Sequence, residues 1–598
     1  MDALLREGAM ATARLRRVQV VAQDPSVRMD GDIVTAWITI PYEDLEPGPM
    51  GYAVHVVDYD ASTQSMYPPV RIPDDDVLPA PPSDRILGDP AFHAVNAYAL
   101  VMRTLHRFEF ALGRRVAWGT GGHQLKVVPH AFEQANAYYS EDAEALVFGY
   151  VRSGRTPTYF GLSHDILVHE TTHALIDGLR DSFTEPSSPD QAALHEGLAD
   201  IVSLLSVFSL PEVLVPFIGL MPTDPDGRRR RSADREGLLD KDVVTKERLK
   251  GTVLFGLADE LRDEAGEARV NALRRSVLIE PAKDLLDRFE FEEPHRRGEV
   301  LVAAVLNAFI DAWADRIDGL RSPDSRLVSR ERVAEEGATI ADLLLTMAIR
   351  AIDYTPPIHI EFGDYLSAVL TADREVRTDD SRYELRRRLR ESCARYGIVP
   401  ASSAADGTWM PPSARLARSG AHFSSLQNDR TEMFRLVWAN RKALRLDPDA
   451  FTRIVSLRPA FRVSPEDGFH VRETVVECTQ YLKLAASELK PYGLRVPEGM
   501  PDDHEVVFRG GSTFILDEYG DLKYEVYNPI PTRGRSSAER RARWQRRLDY
   551  LWDNGFLDRG ATLTKGLPAL HRERAMGSSR TRRRRGTTIP TDREEAWS

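Results

Sequence analysis

At 598 residues the chain is too long for one ordinary core, so two or three domains are expected. Hydrophobic residues at 42% and charged residues at 28% exclude a collagen-like or wholly disordered chain, and a net charge of -12 favours solubility while giving no general affinity for nucleic acid. The two cysteines, Cys393 and Cys478, lie far apart without C-x-x-C spacing, which argues against a disulfide framework or a cysteine-based metal site.

The N-terminal residues carry basic side chains but no uninterrupted apolar run of the secretory kind. No later stretch approaches the roughly eighteen consecutive apolar residues of a membrane span, so the expectation is a soluble, cytoplasmic protein. Val34, Ala36, Ile38 and Ile40 share one parity, and Val54 and Val56 continue the alternation, which predicts strands. A proline-rich stretch, YPPVRIPDDDVLPAPPSD, reads as an extended connector. From Asp89 to Leu112 the spacing of Phe92, Val95, Leu100, Val101 and Leu105 predicts a helix. Strand candidates QLKVV and EALVFGYV follow, then a long helix through SHDILVHETTHALIDGL.

Beyond Leu194 the apolar patterns are mostly helical, in HEGLADIVSLLSVF, KGTVLFGLADEL, GEVLVAAVLNAFIDAW, ATIADLLLTMAIRAI and FGDYLSAVLTA. A composition break past Pro400, ASSAADGTWMPPSARLARSG, marks a domain boundary. The remainder mixes helical segments with a hairpin in STFILDEYGDLKYEV and ends in a basic tail containing Arg582 to Arg585. The expected organisation is a strand-rich segment with its connector over 1–88, a lobe carrying the His169 helix over 89–180, a helical lobe over 181–400, and an accessory region over 401–598.

The chemistry-bearing residues fall on two successive helices of this pattern. His169-Glu170-Thr171-Thr172-His173 has the H-E-x-x-H pattern, and a spacing of four puts both imidazoles on one helix face, where they can share a zinc ion. In the next helix Glu196 and Asp200 are again four apart. Glu196 can be the third ligand, and three protein ligands leave the fourth position of a tetrahedral zinc open for water, as in a catalytic site. Asp200 can accept the second ring N–H of a ligating histidine and so fix its tautomer. Glu170, between the histidines, is the natural general base for a water attacking a carbonyl.

Together these residues resemble the thermolysin-like zinc peptidases of the gluzincin class, over roughly Asp89 to Pro400. The resemblance implies an α+β fold, a two-lobed zincin with a strand-rich N-terminal lobe and a helical C-terminal lobe, to which this chain adds an α+β C-terminal region. It implies that Glu196 binds zinc and that Asp200 supports His169. Asn136-Ala137-Tyr138-Tyr139 looks like the family's edge segment, in which Ala137 offers backbone groups and Asn136 its side-chain amide to the substrate main chain. PHRRGEVLVAAVLNAF resembles the segment whose histidine hydrogen-bonds the oxyanion, here His295, with Glu290, Glu292 or Glu293 to orient it. Arg274 resembles the arginine that binds a substrate carbonyl, with Arg275 as the competing choice.

The chain also departs from the family. No tyrosine follows the second histidine at the expected place, so Tyr138, Tyr139 or Tyr159 would have to substitute, or the donor is missing. Asp165 matches one calcium ligand, but Val207 stands where a bridging glutamate belongs, so the double calcium site is expected to be absent. His195 replaces an asparagine and is read as a support for a zinc ligand. The implied activity is zinc-dependent hydrolysis of peptide or protein substrates, with an endopeptidase ahead of an aminopeptidase because no G-A-M-E-N motif precedes the zinc helix. A different reading places the main role in residues 401–598, as a regulatory or interaction module. The basic tail there is only a compositional hint of nucleic-acid or acidic partners, and no membrane partner is expected.

Overall fold

The computed structural model describes residues 14–152, 157–180, 182–183, 187–216, 218, 237–240, 244–250, 276–319, 327–412, 415–417, 423–464, 467–534 and 537–557. The fold is mixed α+β. Strands β1 (Leu15–Val21) and β2 (Thr35–Pro41) pair antiparallel, and Val34, Ala36, Ile38 and Ile40 all point into the core as their shared parity predicts. The proline-rich connector contributes a short strand, Val77–Leu78, parallel to β1.

A second sheet is built from β3 (Val54–Val56), β4 (Leu125–Glu133), β5 (Ala137–Ser140) and β6 (Ala145–Val151) in the order β5-β6-β4-β3. The pairs β6/β4 and β4/β3 are parallel, whereas β5 turns back antiparallel on β6 and forms the edge. Helix α1 (Pro90–Leu112) lies against these strands, its first turn capped by Asp89, whose carboxylate accepts from the Ala91 and Phe92 N–H groups.

Helix α2 (His164–Leu179) carries the H-E-x-x-H residues. It is buried on nearly every side, so it behaves as a central core helix rather than a surface one. Helix α3 (Pro189–Phe208) packs against it, opened by Pro189 and by Ser188, whose hydroxyl accepts from Gln191 N. Helices α4 (Pro294–Gly319), α5 (Arg330–Arg350), α6 (Phe362–Val376) and α7 (Leu385–Arg395) complete the helical part. The α3–α4 contact is made backbone to backbone: a Cβ on Gly197 would lie 3.1 Å from Gly298 O, and one on Gly298 would lie 2.9 Å from Ala193 O. Only glycines let two helices approach this closely, and the contact falls beside Glu196 and three residues from His295.

After Pro400 come α8 (Arg430–Ala439), a four-stranded antiparallel sheet of β7 (Phe451–Val463), β8 (His470–Ala485), β9 (Glu505–Leu516) and β10 (Leu522–Asn528), and α9 (Ala538–Asp553). The predicted hairpin is β9/β10. The two long strands before it were not legible as strands, because polar residues occupy buried positions of β8, among them Glu473, Thr474, Glu477, Thr479 and Gln480, and erase the alternation.

Those buried polar groups seat the sheet on the helices. Arg180, at the end of α2, pairs with Glu477; Arg462 bridges Asp353 and Glu473; and Tyr354 Oη donates to Glu473 Oε2 at 2.6 Å. Burial alone would raise the Asp353 carboxyl, but Arg114, with Arg462 and Arg180, holds it well below the ordinary carboxylate range. Val475, Ile515 and Tyr524 belong to the same apolar cluster as the helices, so the sheet shares their core. Among the described residues no helix is long and apolar enough to cross a membrane.

Candidate metal centre

The middle turns of α2 and the first three turns of α3 bring three side chains to one point. His169 and His173, one turn apart, present their Nε2 atoms 2.8 Å from each other, and Glu196 Oε2 lies 3.8 Å from each. All three residues are buried, and among the described residues they are the only group of three or more His, Cys, Asp or Glu side chains close enough to hold one ion.

The outer ring nitrogens are engaged elsewhere. His169 Nδ1 is 2.8 Å from Asp200 Oδ1, and His173 Nδ1 is 2.8 Å from His195 Nδ1. With the Nδ1 protons directed at Asp200 and His195, both Nε2 lone pairs face the same space as the Glu196 carboxylate, which is a donor set for a cation. A tetrahedral ion with ligand bonds of about 2.0–2.1 Å would set its ligand atoms roughly 3.3 Å apart, within the span of the observed separations. The residues present therefore fit a zinc-sized ion.

His195 stands behind His173, its ring nearly parallel at 6°. It faces His173 Nδ1, not the cluster. Its Nε2 is 3.5 Å from Asp177 Oδ1, on the last turn of α2. Neither atom makes a hydrogen bond, nor does the nearby Tyr139 hydroxyl. Burial, reinforced by Asp177, pushes the Tyr139 phenol above its ordinary range. The His195–Asp177 pair escaped sequence reasoning because Asp177 has no motif around it; the histidine in place of asparagine was the one signal.

Glu170 is fully buried, and its Oε2 accepts from the Tyr139 main-chain N–H at 3.0 Å. Edge strand β5 is thereby tied to the carboxylate between the two histidines. Ala137 pairs with Phe148 in β6 at the start of this edge strand, and the buried Asn136 just before it accepts from Gly149 N through its carbonyl at 2.7 Å. Tyr138 stacks on Phe132, and Tyr159 packs against His93 and His130, so these rings are occupied in the strand-rich part.

His295 lies in the first turn of α4. Its Nε2 is 3.5 Å from Glu196 Oε2 and its Nδ1 is 2.6 Å from Glu293 Oε1, so Glu293 is the carboxylate that orients it, among the three offered by the sequence. Its side chain is 28% exposed, in contrast to the buried trio it borders. Asp165 accepts from Ser163 Oγ at the start of α2, and Val207 is buried in the core. Arg274 and Arg275 lie outside the described residues, as do the KGTVLFGLADEL segment beyond Lys250 and the basic tail. No family model matches the chain, and no curated protein matches it.

Proposed function

We propose that this protein is a zinc-dependent peptidase in which His169, His173 and Glu196 hold one zinc ion and Glu170 is the general base. The observation that carries the proposal is the convergence of two imidazole nitrogens and one carboxylate oxygen, with Asp200 and His195 engaging the outer nitrogens. Zinc bound there would supply a water acidified to a pKa of about 7 and polarise a substrate carbonyl.

The remaining work falls to the chain's own side chains. Glu170 receives the proton of the attacking water and passes it to the leaving amine, its position set by the Tyr139 N–H. His295, held by Glu293, donates from Nε2 to the oxygen that gains charge in the transition state. Strand β5, at the sheet edge, offers Ala137 backbone groups and the Asn136 side chain to an extended substrate. The division into a strand-rich part before α2 and a helical part after it supports a thermolysin-like two-lobed reading of residues 89–400.

The test is casein or peptide hydrolysis together with metal analysis for the wild type and Glu170→Gln. Zinc retained at one equivalent with activity lowered by about 10²–10⁴ is the expected result. Hydrolysis unchanged in the variant, or wild-type protein that takes up no zinc, would sink the proposal.

A further inference from the structure

Arg350 closes α5 and is 2% exposed. Its Nε donates to Ala111 O at 3.1 Å, its Nη2 makes no hydrogen bond, and among the described residues no carboxylate pairs with it. Burial and, after it, the Arg462 guanidinium lower the Arg350 pKa, Asp373, Tyr354 and Glu473 draw it the other way, and the value of about 10 keeps the group protonated at neutral pH. A buried cation with no carboxylate in contact is costly to a fold, which makes its surroundings informative.

Arg350 lines a cavity of about 640 Å³ between α1, α5 and the end of α6. That volume lies within the usual span of small-molecule sites, roughly 300–1,000 Å³. Arg103 and Arg107 of α1 also line it, while Trp37, Phe110, Leu343 and Met347 give it an apolar wall. Asp373 lies at the same end, but its Oδ2 is taken by Arg386 Nη1 at 2.6 Å, and its Oδ1 makes no hydrogen bond. Arg107 is paired with Asp342. Asp373 and Asp342 are thus engaged by other arginines, and although Glu212, Glu335 and Glu336 also line the cavity, no carboxylate lies within ion-pair distance of Arg350 among the described residues. None of His169, His173, Glu196 or His295 lines this cavity.

We propose that this cavity binds a small organic oxyanion, its carboxylate or phosphate head on Arg350 and its apolar body against Trp37, Phe110, Leu343 and Met347. A guanidinium N–H donates a charge-assisted hydrogen bond to either head group. The apolar wall distinguishes such a ligand from a bare inorganic ion.

Phenyl phosphate, phenylacetate and inorganic phosphate are titrated into the full chain, with calorimetry and tryptophan fluorescence as readouts. Saturable binding of phenyl phosphate or phenylacetate is expected, whichever head group binds tighter naming the source chemistry, with affinity at least tenfold weaker in Arg350→Met. Thr346→Phe, a half-buried lining position that leaves Arg350 in place, is expected to abolish binding by filling the cavity. Because no carboxylate contacts Arg350, the ligand-free thermal midpoint of Arg350→Met should match or exceed that of the wild type. Binding of inorganic phosphate alone, equal affinity in either variant, no saturation by about 10 mM, or a midpoint more than about 5 °C lower in Arg350→Met would each overturn the assignment. Metal content and hydrolysis play no part in these readouts, so failure of the peptidase proposal leaves this one standing, and the reverse.

Discussion

Acid should destabilise this protein through histidines remote from the His169–His173–Glu196 cluster. His93, His106 and His164 are all buried, and burial is the largest cause holding their pKa values at about 3, about 4 and about 3. In the unfolded chain each returns to about 6.5. Since the folded values are the lower ones, the unfolded chain binds more protons, and stability is complete above pH 6.5 and falls as pH drops toward the folded values. From pH 7 to pH 4.5 each histidine costs about 2.5 kcal/mol by this linkage, a large share of a total stability of roughly 5–15 kcal/mol. Burial raises the carboxyls of Glu109, Asp364, Asp373 and Glu525, which bind protons first in the folded state and offset part of the loss. A single substitution therefore isolates the effect better than the whole-protein curve does.

His164 suits that purpose. It lies five residues before His169, and its Nε2 meets Ser206 Oγ at 3.1 Å. His164→Leu removes this contact, a loss that is constant with pH, and removes one proton from the linkage. Urea unfolding followed by circular dichroism from pH 7 to pH 4.5, with chelator in every sample so that metal release contributes nothing, gives stability against pH for both proteins. The variant's slope should be shallower by about 1.4 kcal/mol per pH unit between pH 6 and 4.5. Parallel curves would refute the reasoning.

Arg462→Met should lower stability by about 3–5 kcal/mol in urea, because it strands the buried Asp353 and Glu473 carboxylates; a loss below about 1 kcal/mol would show that Arg114 and Lys523 suffice to compensate them. Asp200→Ala should weaken zinc binding by about 10–100-fold in competition with a chromophoric chelator, since His169 loses the partner that sets its ring, and unchanged affinity would remove Asp200 from that role. Gly298→Ala should destabilise by about 1–3 kcal/mol in urea as its Cβ meets Ala193 O, and a neutral result would mean that α3 and α4 can slide apart freely.

Local pattern was enough to find α2 and α3 and to bring out His169, Glu170, His173, Glu196 and Asp200. A spacing of four fixes which side chains share a helix face whatever the rest of the fold does. Parity likewise fixed which residues of β2 point inward. Strands β7 and β8 were hidden, because a residue's burial is not written in its polarity when a partner such as Arg180 or Arg462 arrives from a distant segment.

The same division holds at the site. The sequence offered Glu290, Glu292 and Glu293 without choosing, and only the turn leading into α4 sets Glu293 against His295. The Tyr139 N–H on Glu170, Asp177 beside His195, and Arg350 with no carboxylate in contact all join or separate groups far apart in the chain. Periodicity reports the environment within a few turns, whereas a pairing across tens or hundreds of residues depends on how helices and sheets pack. Tertiary structure alone therefore decided which charges are satisfied.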